Sequence, residues 1–156
     1  MRPLQATINH QALLRNLNHI KKIAKQSKVM SVLKANAYGH NLLDVAKTLK
    51  SSDGFAVLSI NEAIQLRENS FKQSILLLEG FFDKGEVNIA SKLRINVTIH
   101  NQRQIELINQ VKPIFPINIH LKINTGMNRL GFMPDEIDYL LKSLSSNPYI
   151  EDIVLM

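Results

Sequence analysis

Short runs of isoleucine, leucine and valine alternate with segments whose apolar residues recur at helical spacing, and the connections between them are brief. Together these patterns predict an α/β protein on a parallel sheet, because strands buried on both faces read as nearly continuous apolar runs. Two architectures fit the alternation: a doubly wound sheet and a (β/α)8 barrel.

The elements follow in order. A helix is predicted from about Asn9 to Ser27, with Asn9 as its cap and Leu13, Leu14, Leu17, Ile20 and Ile23 along one face. Val29–Leu33 reads as the first strand and Leu42–Lys50 as the next helix. Gly54–Leu58 is the second strand. Ser59 and Glu62 then form a capping box, in which each side chain satisfies a backbone donor at the start of a helix running to about Asn69. Ser74–Leu78, Ile95–Ile99 and Ile117–Ile123 read as strands three to five, with helices over Lys84–Ser91 and Gln102–Val111 between them. Pro134 opens a helix to Ser145, at a position where its missing N–H costs little. A sixth strand starts at Ile150 and is still apolar at Met156.

A complete barrel takes about 250 residues. On that reading the 156 residues carry about six of eight βα units, and the chain is expected to be a fragment, or to fold with something covering its open edge. No repeat, low-complexity tract or linker interrupts it.

Composition narrows the function classes. Apolar residues are 45% and charged residues 21% of the chain, as expected of a globular protein. No apolar run is long enough to span a bilayer, and Met1–Thr7 lacks the apolar core of a secretory signal, so a cytoplasmic protein is expected. The absence of cysteine excludes disulfides, thiolate metal sites and cysteine nucleophiles, and no metal site is read. The net charge of +6 comes from scattered lysines without a nucleic-acid-binding motif, so the densest stretch, Lys21–Lys28, reads as a solvated helix face.

Two segments carry chemistry. Lys34 ends the first strand, at the edge where the active sites of βα barrels lie. An amine at that edge is placed to attack a carbonyl. Tyr38 follows in the next turn, within reach of a phosphate placed near Lys34, and His40 reads as a buttress of the following helix. The second segment, Lys122–Phe132, leaves the fifth strand as a loop in which Gly126 and Gly131 flank Arg129. A guanidinium is a permanent cation with a rigid fork of donors, suited to a carboxylate or phenolate; a loop arginine bonded to nearby carbonyls is the plainer alternative.

The string Lys34-Ala35-Asn36-Ala37-Tyr38-Gly39-His40 resembles the pyridoxal-phosphate (PLP) signature of alanine racemases, and Thr125-Gly126-Met127-Asn128-Arg129 resembles a second motif of that family, in matching order and spacing. Leu76-Leu77-Leu78-Glu79-Gly80 is a weaker third match. The resemblance runs from Thr7 to Met156 and covers less than half of a complete racemase. It implies that residues 1–156 are the N-terminal part of a PLP-binding TIM-type barrel, without the rest of the barrel or the C-terminal β domain. It further implies that Lys34 joins the cofactor as a Schiff base and serves as one acid/base group, that Tyr38 contacts the cofactor phosphate, and that Arg129 binds the phenolic oxygen and the substrate carboxylate. Lys122 corresponds to a lysine that can carry a carbamate supporting the arginine; a plain lysine paired with an acid is the alternative. Asn124 stands where many relatives have aspartate.

The implied activity is interconversion of L- and D-alanine, supplying D-alanine for peptidoglycan, in an enzyme that is a homodimer in the family. The family's second base, a partner-subunit tyrosine, has no counterpart here; Tyr139 and Tyr149 read as packing residues. Little or no racemase activity is therefore expected of this chain alone. Another PLP-barrel racemase or decarboxylase, and a non-catalytic PLP-binding or structural fragment, are the competing readings.

Overall fold

A computed structural model describes residues 4–156; residues 1–3, which begin the Met1–Thr7 stretch read for a secretory signal, lie outside the described residues. Six strands form one sheet: β1 (Met30–Val32), β2 (Gly54–Val57), β3 (Ser74–Leu77), β4 (Asn96–Ile99), β5 (Ile117–Leu121) and β6 (Ile150–Leu155). Each pairs in parallel with the next, in the order β1-β2-β3-β4-β5-β6. The sequential order decides against a doubly wound sheet, in which the strand order reverses at a switch point.

Seven helices accompany the strands among the described residues: α1 (His10–Ile23), α2 (Lys34–Tyr38), α3 (Leu42–Thr48), α4 (Ile60–Glu68), α5 (Lys84–Lys92), α6 (Gln102–Val111) and α7 (Ile137–Ser145). Their starts follow local chemistry. The side chain of Asn9 accepts the Ala12 N–H at 2.9 Å, as predicted. The Ser59–Glu62 capping box is present in both directions. The side chains of Asp83 and Asn101 cap α5 and α6 by accepting the N–H groups of Glu86 and Gln104.

The two faces of the sheet differ, as the period of two requires. Phe55, Val57, Ile75, Leu77, Val97, Ile99, Ile117, Ile119 and Leu121 point to the helices and join Ala63, Leu66, Val87, Ala90 and Ile108 in one core. Each such side chain contributes about 1.5–3 kcal/mol by leaving water. The alternate positions face the other way. Met30 of β1, Gly54 of β2, Leu76 of β3, His120 of β5 and Val154 of β6 line a single cavity of about 570 Å³. In a flat sheet the outer two of six strands lie about 24 Å apart, five spacings of roughly 4.8 Å. One cavity bordered by both therefore means that the sheet is coiled. The fold is an incomplete TIM-type α/β barrel, as the sequence predicted.

Some boundaries differ from the sequence reading. The first helix ends at Ile23, where Ala24 leaves helical geometry, instead of continuing to Ser27. The fifth strand runs to Leu121 rather than Ile123; the Lys122 and Ile123 N–H groups still bond to the carbonyls of Ile99 and Met156, and Phe132 then returns to pair with Lys122 and Asn124. The single helix expected over Pro134–Ser145 is a 3-10 turn, Pro134–Glu136, leading into α7. Tyr149 packs against the core as expected, but Tyr139 is 75% exposed, since Ile137, Leu140 and Leu144 define the buried face of α7. Among the described residues, no helix is long and apolar enough to cross a membrane.

Arg67 of α4 ties down the amino-terminal ends of β3 and β4. Its guanidinium donates to the carbonyls of Leu93, Arg94, Phe71 and Gln73 at 2.8–2.9 Å. Burial pushes its pKa below the ordinary guanidinium value, yet the side chain stays charged. Replacing it strands several carbonyls at once, so Arg67→Met is expected to lower the unfolding free energy by about 2–3 kcal/mol, read as a shift of the urea midpoint.

Candidate functional site at the carboxyl end of the sheet

Continuing the inward-facing register past the strand ends places Lys34 after β1, Leu58 after β2, Leu78 after β3 and Lys122 after β5. All four line one cavity of about 390 Å³, together with Glu79, Arg129 and Leu130. Lys34 and Lys122 follow strands separated by three others, so only the coiling of the sheet brings them to one space. Three of the four predicted site residues thus meet: Lys34, Lys122 and Arg129. The fourth, Tyr38, is not part of the cavity wall and is 59% exposed beside it.

Two local structures aim these groups. The first is α2, a single left-handed turn. Ala35, Asn36, Ala37 and Tyr38 have φ of 53–55°, and the Ala37 N–H bonds to the Leu33 carbonyl at 2.8 Å. The sequence reading anticipated a turn here, but not its hand, which non-glycine residues rarely adopt. Asn36 links it onward, its side-chain oxygen accepting the Leu42 N–H at 2.8 Å where α3 begins. His40 bonds back to this preceding turn, through a 2.8 Å bond from Nδ1–H to the Ala37 carbonyl, rather than to the following helix as the sequence suggested.

The second is the loop from Asn124 to Phe132. Its base is closed by the Asn124 N–H to the Phe132 carbonyl at 2.8 Å and the Phe132 N–H to the Lys122 carbonyl at 2.9 Å. Inside it the Asn124 side-chain oxygen accepts the N–H groups of Gly126 and Asn128, and its NH2 donates to Asn128 Oδ1 at 3.0 Å. An asparagine at this position therefore does more than substitute for an aspartate, since the last bond needs a donor. Gly131 has φ of +117°, and a Cβ there would lie 2.8–3.0 Å from backbone atoms of Lys122, Ile123 and Asn124.

The electrostatics are one-sided. Lys34, Lys122 and Arg129 face Glu79 alone among the ionisable lining residues, and among the described residues none of the three cations forms an ion pair. The pairing of Lys122 with an acid, considered from sequence, is not seen. The excess of positive charge fits a small anion such as a phosphate ester or a carboxylate.

Three residues near the site, Gln104, His100 and His120, escaped the sequence reading. The Glu79 carbonyl is held by Gln104 Nε2 at 2.8 Å and His100 Nε2 at 3.1 Å, through folded-state contacts more than twenty residues apart that no local pattern signals. His120 lies two residues before Lys122 on the same inward face, and burial lowers its pKa below 6.5.

Fold and cavity together define an α/β barrel segment with a cationic site at the carboxyl edge of its strands. The comparisons make this specific. Residues 8–156 match the family model for the alanine racemase N-terminal domain, and the chain belongs to that family. It is 43% identical over 155 residues to the alanine racemase of Nitrosospira multiformis, covering 99% of this chain and 43% of that protein. It is 48% identical over 143 residues to that of Nitrosomonas europaea, covering 92% of this chain and 40% of the other. The crystal structure of the biosynthetic alanine racemase from Pseudomonas aeruginosa superposes with a TM-score of 0.94 at 37% identity, over 99% of this chain and 44% of that one. The chain thus spans less than half the length of these relatives.

The loop geometry makes Gly131→Ala costly: both the backbone angle and the overlap with Lys122–Asn124 oppose it, and a loss of about 3 kcal/mol is expected in chemical denaturation. His120 gives a pH signature. Because its folded pKa lies below its unfolded one, the unfolded chain binds more protons in that range, and stability rises with pH there. The contribution is complete above about pH 6.5 and is lost as the pH falls through the lower folded value. The thermal midpoint of the native chain should accordingly fall more steeply between neutral pH and pH ~5 than that of His120→Gln.

Proposed function

We propose that this chain is the N-terminal part of the PLP-binding barrel domain of an enzyme that interconverts L- and D-alanine, with Lys34 as the residue that bonds to the cofactor. The observation that carries this reading is the convergence of Lys34, Lys122 and Arg129 on one cavity at the carboxyl edge of the sheet. An amine, two further cations and space for a small molecule suit an aldehyde that also bears a phosphate and a phenolic oxygen. When bound, the cofactor supplies the electron sink that makes an amino acid's α-hydrogen removable.

The chain's own residues account for the rest. Lys34 is the residue that would hold the cofactor through its aldehyde carbon, with release of water, and its free amine would exchange a proton with one face of the substrate's α-carbon. Arg129 offers its donor fork to the phenolic oxygen and the substrate carboxylate. Lys122, which lines the same cavity, serves as a supporting group, plain or carbamylated. Tyr38 supplies a hydroxyl to the phosphate from the cavity's margin. The substrate is alanine and the assembled enzyme a cytoplasmic homodimer that provides D-alanine for peptidoglycan.

Racemisation needs a second base on the opposite face of the α-carbon. The lining holds no tyrosine or histidine to serve as one, so the isolated chain is expected to turn over alanine negligibly in a D-alanine assay. The half-site itself is tested by mixing the protein with PLP, reducing with borohydride and mapping the peptides. A pyridoxyl adduct concentrated on Lys34, and lost in Lys34→Ala, is expected. Adducts spread over surface lysines would sink this reading.

A further inference from the structure

Four consecutive non-glycine residues with left-handed φ, Ala35–Tyr38, carry a cost of roughly 1–2 kcal/mol each. Such a run persists only where its surroundings over-determine it. Most of its hydrogen bonds are internal to the segment Leu33–Leu42. One bond is not. The Asn36 N–H donates to Oε1 of Glu62, 26 residues further on, at 2.8 Å. The other carboxylate oxygen, Oε2, accepts the N–H groups of Leu58 at 3.0 Å and Ser59 at 3.2 Å.

A residue that the sequence marks only as a helix cap therefore bridges two loops at the carboxyl edge of the sheet. One end holds the strained turn two residues beyond Lys34. The other holds the segment of Leu58, which lines the same cavity as Lys34. We infer that Glu62 is a positioning residue: its carboxylate clamps α2 to the start of α4 and so keeps the Lys34 amine at the cavity. This rests on the reading of Lys34 as the cofactor-binding lysine.

The chemistry demands a carboxylate of this length. Three N–H donors are shared between two oxygens, both purely acceptors. A glutamine offers one oxygen and turns an NH2 toward the remaining donors. An aspartate keeps the helix-capping charge but is one methylene too short to reach Asn36 as well.

The test uses the full 156-residue chain and two readouts: the fraction of Lys34 labelled by PLP and borohydride at sub-saturating PLP, and amide hydrogen exchange across residues 35–40. Glu62→Gln and Glu62→Asp are expected to lower Lys34 labelling about tenfold and to speed exchange in the turn. Ser59→Ala, which weakens the same helix cap without touching the turn, should leave both unchanged. Glu62→Asp retains a capping carboxylate, so a folded variant is available if Glu62→Gln unfolds. Native labelling of Lys34 in the Glu62 variants overturns the clamp and leaves the cofactor reading standing. So does an equal loss in Ser59→Ala, which would trace the effect to helix stability. An unlabelled Lys34 in the parent chain overturns the cofactor reading, and the role of Glu62 with it.

Discussion

The structure depends on a division between the two faces of a coiled parallel sheet. Every second strand residue faces the helices, and there the core is mainly apolar: Phe55, Val57, Ile75, Leu77, Ile117, Ile119 and Leu121 with apolar residues of α3–α7. The intervening residues face a concave interior that holds Ser74, His120 and Met30 around open space. The twist of adjacent strands, accumulated over six of them, turns a flat ladder into this concave wall. Because the register of each parallel pair is set by the buried face, the residues just past the strand ends also point to one centre. The cavity that holds Lys34 and Lys122 follows from the same alternation that fills the core.

The site concentrates charge that the rest of the molecule disperses. Some cations elsewhere have partners: Lys21 lies 3.5 Å from Asp53, Arg94 pairs with Glu151 and stacks over Phe115, and Arg67 is enclosed by carbonyls. Lys34, Lys122 and Arg129 instead share one cavity with a single carboxylate, Glu79. Like charges placed together are unfavourable unless an anion joins them, which is the physical ground for reading the cavity as a binding site rather than as a packing defect.

Two loops of unusual backbone frame that cavity, and each is stabilised by short polar side chains. Asn36 and Glu62 hold the left-handed turn after Lys34, while Asn124 and Asn128 hold the loop bearing Arg129. Both loops use side-chain carbonyls or carboxylates to satisfy backbone N–H groups that no strand or helix engages. Rigid scaffolding with irregular, internally bonded loops at one edge is how barrels separate stability from chemistry.

By itself, the sequence determined the order and type of nearly every element, because apolar periodicity and caps such as Asn9, Ser59 and Glu62 act over a few residues. It also placed Lys34, Lys122 and Arg129 at strand ends and in a loop, through motifs that resemble one family. Three things were decided only by tertiary structure. The coiling of the sheet, a sum of small twists, brought residues 34 and 122 to one cavity. The hand of the turn at Ala35–Tyr38 depends on bonds such as that to Glu62, 26 residues away, which no local propensity encodes. The pairing of Phe132 with Lys122 and Asn124 closed the loop that carries Arg129. In each case a contact distant along the chain outweighed the local preference, and local preference is all that a sequence read in windows expresses.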